Sequence, residues 1–270
     1  MFSPGFITYS PAVGGNYSTL SLAFDGVNEG ATQSSPAFLS ETASGGKSFS
    51  FWFKMGDLPT PSSNDYRPIF FSSSTGGTVA TGLWNVGIRT RTNTGLTTPR
   101  IDLTIRQQSN VVNDTDGQMG DTEVSVDTWY LCVVTTNGST YTVYLNTTAQ
   151  TLTSWAGVVA YDGAWFGDVL LSGTIAANLA RNPTSTTFGE VKLDGMTMWD
   201  VQLNSSEVSE LYNSGVPINP STHSQSANVI NNWNFGEGSD DSTTVYDTVG
   251  SDDWTLENIE SGDFTSDVSS

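Results

Sequence analysis

Three aromatic side chains, Trp155, Trp165 and Phe166, stand in the Gly-rich run SWAGVVAYDGAWFGD. Flat rings beside amides and acids can stack on sugar rings, so these three are the candidate carbohydrate-binding residues; core packing is the plainer use of the same rings. Two acidic groups follow. Asn113-Asp114-Thr115-Asp116 and Asp240-Asp241 offer carboxylates in turn-rich sequence. Oxygen-rich loops hold calcium, which makes Asp114, Asp116, Asp240 and Asp241 the candidate Ca2+ ligands. Neither group has EF-hand spacing, and the competing reading is of turn residues bonded to their own backbone. His223 is the one histidine, in a Pro/Ser-rich stretch where a surface position is expected. That excludes a His-rich metal cluster and makes a Ser-His-Asp site accidental. Cys132 is the one cysteine and reads as a buried, inert thiol inside a strand. Gly45-Gly46-Lys47-Ser48 lacks the earlier glycine of a phosphate loop and precedes a strand rather than a helix. No catalytic residue is nominated, and the chain is expected not to be an enzyme.

The elements that must position these residues are short strands. The chain has 270 residues, 27 of them glycine, and helical periodicity is nearly absent. Leu20–Phe24, Phe49–Lys54, Ile69–Phe71, Leu83–Ile88 and Arg100–Arg106 read as strands. In the last, Ile101, Leu103 and Ile105 are expected inside, with Arg100, Asp102 and Arg106 facing water. Trp129–Thr135 and Tyr141–Leu145 flank Asn137-Gly138, a strong hairpin signal. Val191–Trp199 and Val229–Phe235 are late strands. One short helix is expected near 205–213, with a serine N-cap, early acidic residues and Gly215 as a stop. The resulting fold class is all-β, a sandwich or jelly roll with that single helix. The expected layout is an N-terminal arm over 1–17 and one domain over 18–260, then a flexible tail over 261–270. Within the domain, a linker spans about 216–228 and the segment 229–258 folds back as edge strands beside Leu20–Phe24. The alternative is burial of Trp233, Phe235 and Trp254 against a neighbouring subunit.

The net charge is −19, from 28 acidic and 9 basic residues. A nucleic-acid partner is excluded because phosphate binding needs clustered Lys and Arg. Membrane insertion is not expected, since no stretch approaches the roughly 20 apolar residues of a span. The N-terminal MFSPGFITYSPAVGG has no basic n-region, so synthesis in a cytosol is expected.

Three stretches, LSLAFDGVN (20–28), FSFWFK (49–54) and VKLDGMTMWDVQLNSSEVSELYN (191–213), resemble in this order the laminin-G-like, concanavalin A-like jelly-roll superfamily, which implies a two-sheet antiparallel jelly-roll sandwich. WNFGEGSDDSTTVYDTVGSDDWTLEN resembles the segment that usually begins such domains, yet here it comes last. Glucanases of that superfamily carry Glu-x-Asp-x-x-Glu on one strand, with the nucleophile and acid about 5 Å apart. Glu190 to Asp194 is the nearest run, and it lacks the second glutamate. Domains of this description resemble virion proteins of tailed bacteriophages. The resemblance therefore implies a non-enzymatic virion structural protein: a capsid decoration, fibre or tail appendage. Its expected partners are other virion proteins, further copies of itself, or surface glycans, and its expected place is the virion surface. A bacterial carbohydrate-binding adhesin or lectin, extracellular or on the cell surface, is the alternative, and a glycoside hydrolase the third reading.

Overall fold

The computed structural model describes residues 17–61, 64–75, 82–106, 115–156, 163–170, 173–183 and 187–270. The expected arm therefore lies outside the described residues except for Tyr17, and Asp114 lies outside them too. In chain order the first ten strands are β1 (Ser21–Asp25), β2 (Gly30–Ser34), β3 (Lys47–Met55), β4 (Tyr66–Thr75), β5 (Leu83–Arg91), β6 (Leu96–Arg106), β7 (Thr115–Glu123), β8 (Trp129–Thr136), β9 (Tyr141–Leu145) and β10 (Thr148–Ala149). Then follow β11 (Thr153–Ala156), β12 (Thr174–Leu179), β13 (Arg181–Asn182), β14 (Thr187–Phe188), β15 (Glu190–Trp199), β16 (Val229–Trp233), β17 (Thr244–Val245), β18 (Trp254–Glu257) and β19 (Phe264–Thr265). All but β13 and β14, which pair with each other, build two large antiparallel sheets. One has the order β10-β9-β8-β3-β15-β1-β19, with β16 also on β15; the other has the order β11-β7-β6-β5-β4-β12-β2-β18-β17. The fold is a β-sandwich.

Alternation explains the core. Phe49, Phe51 and Phe53 of β3, with Trp84, Val86 and Ile88 of β5, all lie in the buried cluster between the sheets. Trp165 and Phe166 fill its middle and do not form a surface platform. Their rings stand 5.3 and 4.6 Å from that of Trp84, and both residues are buried. The local cause is Asp168, whose carboxylate accepts the N–H of Trp165 at 2.8 Å and of Ala43 at 2.9 Å. These bonds close the single-turn helix α1 (Phe166–Val169) and turn both rings inward. Cys132 is also buried, which pushes its thiol pKa up.

A second apolar cluster covers the outer face of the eight-stranded sheet. Trp52, Leu131, Val133, Tyr144 and Trp199 pack there against Val208 and Leu211 of α2 (Ser205–Tyr212). The N-cap is Asn204 rather than a serine; its side chain accepts the N–H of Ser206 and Glu207. The expected linker 216–228 belongs to this cover. His223, expected at the surface, is buried with its ring 4.9 Å from that of Trp199. Its Nδ1 accepts the Gln225 N–H at 3.0 Å, so Nε2 carries the proton and donates to the Glu207 carbonyl at 2.9 Å.

The C-terminal segment meets β1 in an unexpected way. β15 pairs through Glu190–Leu193 with β1 and through Met196–Trp199 with β16. The tail strand therefore lies end to end with β1 along β15, not beside it. At the join, Glu237 accepts the N–H of Thr19 at 2.6 Å and of Leu20 at 3.0 Å, which caps the start of the lane. Trp233 and Phe235 are buried in the main cluster of this chain. The stretch 261–270, expected as a flexible tail, carries β19 paired with β1. Asp267 within it accepts from Lys192 at 2.5 Å, Lys54 at 2.6 Å and Trp129 Nε1 at 3.2 Å. Charge pairing, invisible in a polar sequence, anchors it.

Candidate functional site

The outer face of the nine-stranded sheet differs from that of its partner. Four of the nine basic residues, Arg89, Arg91, Arg100 and Arg106, lie on the neighbouring strands β5 and β6. The other five all pair with surface carboxylates: Lys47 with Glu41 and Asp200, Lys54 and Lys192 with Asp267, Arg67 with Asp57 and Asp65, and Arg181 with Glu257. On β6 the alternation does place Ile101, Leu103 and Ile105 in the core. Asp102, expected to face water, is instead fully buried on the opposite face. Trp155 Nε1 donates to its Oδ1 at 2.6 Å and Thr104 Oγ1 to its Oδ2 at 2.8 Å. Arg89 Nε lies 3.0 Å from Oδ2, an ion pair in which the N–H is not aimed at the oxygen.

Two bulges and two glycines build this cluster. β11 joins β7 with a register shift between Ser154 and Ala156, which places Trp155 in the bulge. A bulge re-aims the side chain it holds. The indole settles against Gly117, where a Cβ would stand 2.3 Å from Cε2. β4 has a second shift between Pro68 and Phe70, and the Tyr66 ring lies against Gly87, where a Cβ would stand 2.6 Å from it. Arg89 fills the space between. Its guanidinium is 4.3 Å from the Tyr66 ring centre and 4.5 Å from that of Trp155, and Arg91 stacks on Trp155 at 3.7 Å. Burial, and then the neighbouring Arg89 charge, pull the Arg91 pKa below its usual range, yet a guanidinium stays charged near neutral pH.

Buried polar atoms without a hydrogen-bond partner gather on this face. Among the described residues, Tyr66 Oη, Arg91 Nε, Asn85 Oδ1 and Asn178 Nδ2 all lack one. Asn85 and Asn178 flank Phe71 across β5, β4 and β12, in one row that continues to Thr104. A buried polar atom left unpaired costs about 1–3 kcal/mol, so this gathering, like that of Asp194 and Asn234 near the join of β1 and β16, makes a candidate place for a ligand.

The candidate residues named from the sequence separate. Trp155 belongs to this cluster, as a half-buried wedge held by Gly117, Asp102 and two guanidiniums. The calcium candidates are not brought together. Asp116 is on β7 and Asp240–Asp241 precede β17, near opposite edges of the nine-stranded sheet. Asp116 accepts from Gln118 Nε2 at 3.2 Å. Asp240 accepts the N–H of Tyr246 at 2.8 Å and of Gly236 at 3.0 Å, and burial raises its pKa to about 6. Asp241 accepts from the Thr243 hydroxyl and N–H and from the Thr244 N–H, which lower its pKa. These are turn-closing bonds. Among the described residues, no three His, Cys, Asp or Glu side chains are grouped to hold a metal ion.

Glu190 and Asp194 do not form a carboxylate pair in one cleft. Glu190 is exposed and lines a 330 Å³ hollow with Asp25, Glu29, Asp127, Lys54 and Lys192. Asp194 is fully buried beside the join of β1 and β16, and its pKa is raised to about 7 by burial. Tyr66, Arg89, Arg91 and Asp102 escaped the sequence reading. The signal that finds them is the concentration of arginine between positions 89 and 106 of an otherwise acidic chain.

No protein-family model matches the chain, and no curated protein does. Among solved structures it superposes on a proposed carbohydrate-binding protein from Bacteroides ovatus. The TM-score is 0.57 at 10% identity, over 91% of this chain and 60% of the other. The chain thus spans less than two thirds of that protein, and what the two share is the β-sandwich. Looser overlaps, both with a TM-score of 0.44, are found with the heptameric SAP-like pentraxin of Limulus polyphemus and with the binding domain of Paraclostridial Mosquitocidal Protein 1. The pentraxin is 13% identical, over 72% of this chain and 81% of that one. The binding domain is 15% identical, over 73% and 46%.

Proposed function

We propose that the chain is a non-enzymatic carbohydrate-binding β-sandwich module whose ligand lies on the outer face of the nine-stranded sheet. The observation that carries this reading is the Tyr66–Arg89–Trp155–Arg91 stack over buried Asp102, bordered by polar atoms that lack partners. Saccharides present many hydroxyls, and a site that offers fixed, unpaired donors and acceptors suits them. The sandwich shared with the Bacteroides ovatus protein supports the reading through its fold. A glycan array probed with the wild-type chain and with Trp155→Ala tests it. Retention of some glycan by wild type, lost in a Trp155→Ala variant that still folds, is the expected result. An array blank for wild type contradicts it. Display on a virion surface, as an appendage or decoration, is the part of the proposal motivated by sequence resemblance alone. A mass-spectrometric inventory of purified particles that lacks the chain removes that part.

A further inference from the structure

We infer that the saccharide this face takes is anionic, a sugar bearing a carboxylate or sulfate, and that Arg91 with Arg89 reads the charge. The inference rests on the proposed carbohydrate binding and deepens it. Stacking engages the flat face of a guanidinium and leaves its in-plane N–H groups free, in the fork that fits a carboxylate or sulfate in two-point fashion. Arg91 is held this way on Trp155 at 3.7 Å and is half-buried; its Nε is enclosed with no acceptor among the described residues, so its terminal N–H groups are the ones that face a ligand. An arginine needing only stability would share a carboxylate, as Arg67 and Arg181 do.

The local charge supports the same choice. Arg89 and Arg91 together face the single carboxylate of Asp102, which already accepts from Trp155 and Thr104. Arg100 is matched separately. Its Nε donates to Thr98 Oγ1 at 3.1 Å, a terminal N–H donates to the Gly120 carbonyl at 3.3 Å, and exposed Glu123 stands opposite it on β7. Among the described residues, that leaves an unmatched positive charge at the Trp155 end of the face, in a chain of net charge −19. A neutral sugar has no group that needs it. Trp155 is a positioning residue here: Asp102 fixes its indole N–H, and its ring fixes both guanidiniums.

The test is a paired array in which each uronate-, sialate- or sulfate-bearing glycan is printed beside its carboxyl-reduced or desulfated form. The wild-type chain is expected to retain anionic members, with signal lower by about tenfold or more on their neutral partners, the range of a two-point charged contact. Comparison of the carboxylate and sulfate members shows which anion is read. Arg91→Gln is expected to remove the preference, and Arg91→Lys to restore only part of it, since an ammonium lacks the fork. Thermal unfolding of both variants checks that they fold. Equal retention of charged and neutral partners by wild type overturns the anionic inference and leaves carbohydrate binding standing. An array blank for every glycan overturns both. Preference unchanged in both folded Arg91 variants overturns the assignment to Arg91.

Discussion

The two outer faces of this sandwich are made by the same alternation of side chains, and they end differently. On the eight-stranded sheet, the alternate positions of β3, β8, β9 and β15 carry Trp52, Leu131, Val133, Tyr144 and Trp199, and the chain covers them itself with α2 and the following segment. Even His223 is enclosed there with both ring nitrogens bonded. On the nine-stranded sheet, the corresponding positions carry Asn85, Arg89, Asp102, Thr104 and Asn178, and polar atoms remain without partners. That face is mostly apolar and covered; its polar exception is Asp194, which lies opposite Trp52 and is fully buried with neither carboxylate oxygen hydrogen-bonded among the described residues. On the proposed reading, the face that stacks two guanidiniums on Trp155 is the one that binds. The contrast assigns roles to two sheets of one fold.

The contrast breaks most visibly through Trp199. Its indole is fully buried and donates to Ser50 Oγ at 3.0 Å. Trp199→Ala is expected to cost about 3–5 kcal/mol in urea unfolding, the usual range for a large core truncation, while glycan retention by the folded fraction persists. Loss of retention with little loss of stability would reverse the two faces. Next comes Asp102→Ala on the other side. It removes the partner of Arg89 and of the Trp155 N–H, so both stability, by about 3 kcal/mol, and binding are expected to fall together. A variant stable and fully binding would deny that Asp102 organises the stack.

The join of β1 and β16 sharpens the contrast through pH. Burial raises Asp194 to about 7, above its unfolded value near 4, so the folded state favours its protonated form. The sign follows: its contribution is complete below about pH 4 and is lost as pH rises through about 7, at most on the order of 4 kcal/mol. Wild type should therefore unfold at lower urea at pH 8 than at pH 5, and Asp194→Asn should flatten that difference. A profile unchanged by the substitution contradicts the assignment. Asp267 acts in the opposite direction. Although its burial opposes this, bonds from Lys192, Lys54 and Trp129 hold it at about 2, so its contribution is present above about pH 4 and fades as pH falls towards 2. The smallest effect in stability is Trp155→Ala. The indole is half-buried on an edge strand, so about 1–2 kcal/mol is expected, with binding lost.

The fold was largely legible because strands announce themselves by period. The alternation of Ile101, Leu103 and Ile105, and the Asn137-Gly138 hairpin, needed no tertiary information. The end-to-end meeting of β1 and β16 did, because it depends on where β15 changes partner at Asp194–Gly195. Trp165 and Phe166 misled, since a Gly-rich surround looks like a loop until Asp168 is seen to turn them inward. His223 misled for the same reason: a Pro/Ser-rich stretch reads as a linker, and its burial comes from Trp199, distant in sequence. At the candidate site only Trp155 was visible. A bulge, a cross-strand carboxylate and two glycines place the others beside it, and none of these leaves a local pattern.

The central claim, that ligand is bound by the nine-stranded face, is met most directly by amide hydrogen exchange with and without the glycan that the array retains best. Slowed exchange in β5, β6 and β11, with 199–229 unchanged, is the predicted result. Slowing confined to 199–229, or to the tail groove lined by Tyr17, Asn232, Asn234 and Asp240, would contradict it.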